Sequence, residues 1–231
     1  MSTEFIVRSY EPRDRDAVRA LCCDTGFLGR PIDPIFEDRD LFADFFTDYY
    51  LRCEADSAFV VETKNGLRGY LLGTRYPLRH QLFSIYQAPS LATRVLTRFW
   101  GYGQTTRSYF AWILLNSWKE VPSAPRRVGH FHVNLLPQVR SIRVFRGLLN
   151  TYLKFLHRSG VKQISAQFVT FEDRRSVQLL ERYGFQVLNQ SQITKFRQYT
   201  DQLVYLSTIV KDLTLHADGR ALFPSREGEA S

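Results

Sequence analysis

Residues 129–160 of this chain read GHFHVNLLPQVRSIRVFRGLLNTYLKFLHRSG, and the change of period inside them decides the fold. From Gly129 to Leu136 apolar and polar residues alternate, the pattern of a half-buried strand. From Gln138 onward Val139, Ile142, Phe145, Leu149, Tyr152 and Leu156 recur at helical spacing, and Gly160 supplies the stop. A strand running straight into an amphipathic helix is half of a βαβ unit. On that strand His130, His132 and Asn134 share one face, because side chains alternate with a period of two.

Working outward, residues 6–9 read as a strand and residues 14–23 as a helix with Val18, Leu21 and Cys22 on one side. A Gly/Pro-punctuated loop spans 26–34, and a second amphipathic helix covers about 38–52, with Leu41, Phe42, Phe45, Phe46 and Tyr49 inward. Residues 57–63 and 67–74 are β-rich runs separated by Lys64, Asn65 and Gly66, a strong hairpin signal. Downstream come a strand at 161–169, a helix at 172–182 closing at Gly184, and strands at 185–196 and 203–210. This order requires an α/β fold with a mixed sheet in one domain over residues 1–215, leaving 216–231 as a flexible tail.

The chain has 231 residues, 44% hydrophobic and 23% charged, an ordinary globular composition. Its longest apolar run, residues 109–115, is far short of the roughly 20 residues of a membrane span. The first residues lack a signal-like basic and apolar pattern. The three cysteines have no metal-ligand spacing, so the expectation is a cytoplasmic protein with reduced thiols and no metal. The charge is concentrated. Residues 75–128 hold eight cations and one acid, Glu120, a net +7 out of the formal +8, together with all three tryptophans. This is a basic, aromatic helical insert between the third and fourth strands. Leu91, Ala92, Val95, Leu96, Phe99 and Trp100 fall on one helical face, with Thr93, Arg94, Thr97 and Arg98 opposite. The expected arrangement is a helical cap whose cations select an acidic or phosphorylated acceptor. Its composition also suits a peripheral membrane contact, whereas no nucleic-acid module is recognisable.

The element order, with HFHVNLLP at residues 130–137 and ERYGF at 181–185, resembles the GCN5-related N-acetyltransferase (GNAT) superfamily over most of residues 4–213. The strand-to-helix text and the long insert resemble the branch containing the acetyltransferase-like domain of O-GlcNAc hydrolases. The resemblance implies a GNAT-like, mostly antiparallel central sheet flanked by helices, with acetyl-CoA as co-substrate. It also implies that the strand end at Asn134, Leu135 and Leu136 pairs with the pantetheine arm, and that a Q/R-x-x-G-x-G/A loop gives its amides to the pyrophosphate.

Here that loop reads Arg140, Ser141, Ile142, Arg143, Val144, Phe145, followed by Arg146. Arg140 keeps the first motif position, and the two glycine positions carry Arg143 and Phe145. Phe145 either packs into the sheet or obstructs the phosphates. The cations at 140, 143 and 146 offer guanidinium forks in place of the glycine nest. In the next motif the family's Asn position falls on Asp173 and its catalytic Tyr position on Leu180, with Tyr183 as the substitute proton donor.

Acetyl transfer needs the amine deprotonated and the thioester carbonyl polarised. His132 and Glu62 are the candidate proton acceptors, the alternative for His132 being a packed core histidine. Asp24, Asp33 and Glu37 border the loop where acceptors bind in the family. The expected function is acyl transfer from acetyl-CoA to a small-molecule or peptide amine by direct attack in a ternary complex. The competing reading is a degenerate GNAT-fold binding module that has lost CoA binding.

Overall fold

A computed structural model describes residues 4–171 and 175–214. Asp173 and the stretch 216–231 lie outside the described residues. The elements, in order, are β1 (Ile6–Ser9), α1 (Arg15–Thr25), α2 (Arg39–Cys53), β2 (Ala58–Thr63), β3 (Gly66–Thr74), α3 (Pro77–Arg98), α4 (Gln104–Leu115) and α5 (Ser117–Glu120). They continue with β4 (Gly129–Leu135), α6 (Ile142–Arg158), β5 (Gln163–Phe171), α7 (Arg175–Arg182), β6 (Gln186–Gln192) and β7 (Val204–Asp212). The seven strands form one sheet in the order β1-β2-β3-β4-β5-β7-β6, antiparallel except for β4 beside β5.

The hairpin forms where Asn65 and Gly66 place it, with Thr63 opposite Gly66. Residues 138–159 were expected as one helix, but α6 starts only at Ile142. Pro137–Val139 make a single 3-10 turn, and the Ser141 hydroxyl then accepts from the Val144 amide at 3.3 Å, capping the helix. At its other end Gly160, with φ +72°, lets Val161 N donate to Leu156 O and Gly160 N to His157 O, so the last carbonyls are satisfied. The strand expected at 185–196 ends at Gln192, and a turn over 194–199 replaces its last residues.

Alternation along the strands divides the core between two faces. On one, α6 buries Leu148, Leu149, Tyr152, Leu153 and Leu156 completely against Phe59, Val61, Leu71 and Phe131, each side chain contributing about 1.5–3 kcal/mol. Gly73 admits the Tyr152 hydroxyl onto its Cα, a place with no room for a Cβ. The other face carries α1, α2 and the loop between them on Tyr70 and Leu72. On α2, Phe45 and Phe46, expected inward, are exposed, whereas Tyr50 is buried against Tyr49, His80, His130 and His132.

The insert folds as α3, α4 and α5. Helix α3 has no fully buried residue and rests on the core through Phe83, Leu91 and Val95. Arg94 and Arg98, expected on its outer side, instead reach α2: Arg94 pairs with Asp44, and Arg98 donates to Asp38 at 2.8 Å. A helix lying on a neighbour buries only the methylenes of such arginines and directs their charged ends at whatever acids flank the contact.

Candidate active site

Strands β4 and β5 pair through only three positions, Gly129 with Ile164, His130 with Ser165 and Phe131 with Ala166. Beyond Phe131, β4 stays paired with β3 as far as Leu135, and β5 with β7 as far as Phe171. Past that point the facing edges of β4 and β5 no longer pair with each other, and the sheet opens into a wedge. The chain leaves β4 at the wedge and turns into α6, whose first turn carries no acid. A helix N-terminus beside an unpaired strand edge suits a ligand with an amide-bearing arm and an anionic end.

On the α2 side of β4, Asn134 donates to the Tyr70 hydroxyl at 2.7 Å, and the Tyr50 hydroxyl lies 2.7 Å from His130 Nε2. The His80 ring from α3 is 4.6 Å from that of His130, and the Tyr50 ring is 5.1 Å from that of His132. His132 lies beside the Phe46 backbone, and its Nε2 is shut from solvent without a partner. Burial, reinforced by neighbouring imidazoles, lowers His130 to about 3 and His132 to about 4, and burial lowers His80 as well. All three rings are therefore neutral at physiological pH. Below them the buried carboxylate of Glu54 accepts from Thr74 Oγ1 at 2.6 Å, the Arg75 amide at 2.6 Å and the Tyr49 hydroxyl at 3.0 Å.

The other expected residues meet different fates. Glu62 accepts from Arg8 Nε at 2.6 Å on β2, two strands and so about 10 Å across the sheet from β4. That carboxylate is thus held by a guanidinium on the far side of β3 from β4. Arg140 does not join the arginines of the helix. It precedes the Ser141 cap, and its guanidinium donates to the backbone carbonyls of Gly29 at 2.8 Å and Leu135 at 3.1 Å, tying the α1–α2 loop to the end of β4. The Leu136 amide is taken by Arg68 O. Arg143 stacks on Phe5, Arg146 and Ile142 are exposed, and Val144 is buried. Phe145 turns inward to the Tyr183 ring, 5.8 Å away, and packs partly buried against the core. Tyr183 is itself buried at the end of α7, and Leu180 is core. Asp24 and Asp33 pair with Arg39, while Glu37 accepts from the Gly103 amide of the insert at 2.8 Å.

Tyr50, Tyr70, His80 and Glu54 were not singled out from sequence; the Tyr49-Tyr50 pair closing an amphipathic helix was the available signal. A cavity of about 260 Å³ opens between α4, Ile35 and the β6–β7 connection, with Tyr109, Trp112, Lys195, Arg197 and Tyr199 in its wall. Lys195 Nζ lies about 5 Å from the rings of Tyr109, Trp112 and Phe196. Glu120 fastens this wall, accepting from Thr194 N at 2.6 Å and Trp112 Nε1 at 2.9 Å. Among the described residues no His/Cys/Asp/Glu group could hold a metal ion.

No protein-family model and no curated protein matches the chain. Solved structures do. SsHAT superposes with a TM-score of 0.60 at 23% identity, over 91% of this chain and 98% of that one. A GCN5-related N-acetyltransferase from Kribbella flavida gives 0.52 at 16% identity, over 90% and 97%. The protein yncA from Salmonella typhimurium, solved with its cofactor acetyl-CoA, gives 0.51 at 14% identity, over 92% and 96%. The structural neighbours are GNAT-family acetyltransferases, and the fold is theirs.

Proposed function

We propose that this chain is an acyltransferase that moves an acetyl group from acetyl-CoA to an amine by direct attack in a ternary complex. The observation that carries the reading is the wedge between β4 and β5, which ends at the Ser141-capped start of α6. The residues present fit the co-substrate. The unpaired edge of β4 offers backbone groups to an extended arm, and Phe145 is turned into the core. Arg143 and Arg146 stand on the first turns of a helix without acids there. Arg140 serves by positioning the loop rather than by holding phosphate.

When bound, acetyl-CoA supplies an activated acyl group. A backbone N–H on the open edge of β4 polarises its carbonyl. His132, with Nε2 shut from solvent and a pKa near 4, serves as a neutral ring in the wall behind β4 rather than as a contact for the amine, whose proton leaves to solvent. The departing thiolate needs no dedicated acid, since a thiol of pKa about 8.5 leaves readily near neutrality. Tyr183 then has a packing role against Phe145.

The acceptor is assigned to the cavity between the insert and the β6–β7 connection, where Lys195 and Arg197 favour an acceptor carrying an acidic group. The sequence likeness of residues 130–137 and the insert to the O-GlcNAc hydrolase branch belongs to the same reading. Calorimetric titration with acetyl-CoA and free CoA tests it. Micromolar dissociation constants are expected; no heat up to millimolar ligand, where binding is weaker than about −4 kcal/mol, would overturn it.

A further inference from the structure

The apolar residues this protein leaves in water are concentrated in the insert. Along α3 and the turn after it, Leu78, Leu82, Ile85, Tyr86, Leu96 and Trp100 are each 58–84% exposed. Spacings of three and four from Leu78 to Tyr86, and the five whole turns from Leu78 to Leu96, place them on the side of α3 away from Phe83, Leu91 and Val95, which take the inner side; Leu96 and Trp100, grouped with Leu91 and Val95 in the sequence, thus face out. At 22 residues the helix is about 33 Å long. Isolated exposed leucines are unremarkable on a protein surface, but six large apolar side chains on one side of a helix, Tyr and Trp among them, mark an interaction surface.

The charges indicate the partner. Of the insert's eight cations, Arg75, Arg94 and Arg98 are consumed by Glu54, Asp56, Asp44 and Asp38. Among the described residues no ion pair takes Arg79, Arg107, Lys119, Arg126 or Arg127. The single acid, Glu120, is turned inward onto Thr194 and Trp112. The insert thus presents apolar side chains with uncompensated positive charge and no negative charge. A second copy meeting this strip would bring like charge to like charge. An anionic lipid surface complements it, accepting Leu, Ile and Trp at the acyl boundary and gaining about 1 kcal/mol per cation held near the headgroups. Among the described residues no helix is long and apolar enough to cross a membrane, so the contact would be peripheral.

We propose that the outer strip of α3 docks the protein on anionic phospholipid bilayers. This inference does not depend on acyl transfer. The test is co-sedimentation of the full chain with phosphatidylcholine vesicles, with and without phosphatidylglycerol, while recording tryptophan emission. Expected are at least about tenfold stronger partitioning onto the anionic vesicles, a blue shift in emission, and release by salt. The Leu82→Ser, Ile85→Ser, Leu96→Ser triple variant, whose changes are all at exposed positions, should lose binding while keeping the wild-type far-ultraviolet spectrum. Arg79→Glu should weaken binding without touching the strip. Equal binding by the triple variant, or no binding of wild type to anionic vesicles, overturns the proposal. So does a lipid-free dimer in sedimentation equilibrium that the triple variant abolishes, which would assign the strip to self-association.

Discussion

Acidification from about pH 7.5 to about pH 5 should remove about 4 kcal/mol of folding stability, through two histidines. His130 titrates near 3 and His132 near 4 in the native state, against about 6.5 in an unfolded chain. A lowered native pKa means that the unfolded chain binds more protons, so the stability is whole above about pH 6.5 and is lost as pH falls toward the native values. At about pH 5 each ring costs close to 2 kcal/mol. His80 acts in the same direction. The carboxylates held below their ordinary range, Asp14, Asp38, Asp44 and Glu120, contribute only at lower pH and leave this window to the histidines. The assay is urea unfolding at the two pH values, read by circular dichroism, in wild type and in a His130→Gln, His132→Gln variant. The variant should keep only the part of the loss that belongs to His80. A wild-type loss under about 1 kcal/mol would show that the rings are not held neutral.

Three other perturbations probe the core and the wedge. Gly73→Ala places a methyl inside the Tyr152 hydroxyl and should cost about 1–3 kcal/mol in thermal unfolding; Tyr152→Phe, which removes a buried hydroxyl without a partner, should be neutral alone and should recover part of that loss. No recovery would mean that the crowding lies elsewhere. Glu54→Gln breaks the acceptor shared by Thr74, Tyr49 and Arg75 and should destabilise by about 3–5 kcal/mol, with a shift below about 1 contradicting the network drawn here. Arg143→Glu with Arg146→Glu should weaken acetyl-CoA binding about tenfold or more in titration; equal affinity would remove these arginines from the anion site.

The parts of the fold visible in the sequence are those set by local period and turn chemistry. Asn65-Gly66 marks the hairpin, and the switch of period before Gln138 marks the strand and helix that build the wedge. The direction of Arg140 was hidden, since its even spacing with Arg143 and Arg146 suggests one helical face. The Ser141 cap leaves it outside the helix, free to reach Gly29 across 111 residues of chain. Glu54 reads as a surface acid after a helix, and becomes the centre of a buried network only when β3 brings Thr74 and Arg75 beside it. The insert's arginines were misjudged for a similar reason, because their partners lie 50 and 60 residues away on α2. Long-range pairing of charge leaves no periodic trace.

The short seam between β4 and β5 also has a mechanical meaning. Three paired positions and the Ser165-to-Gly129 bond are the sheet's own ladder between two blocks, β1 to β4 and β5 to β7. The insert belongs in sequence to the first block, yet Gln167 donates to Pro122 O, Asn189 to Ser123, and Thr194 to Glu120. One face of this fault line is therefore stapled by the insert while the other opens toward α6. Opening fluctuations of the two blocks should run through residues 129–131 and 164–166, where amide exchange would report them. A ligand wedged between the strand ends would act as mortar, joining two cooperative units into one.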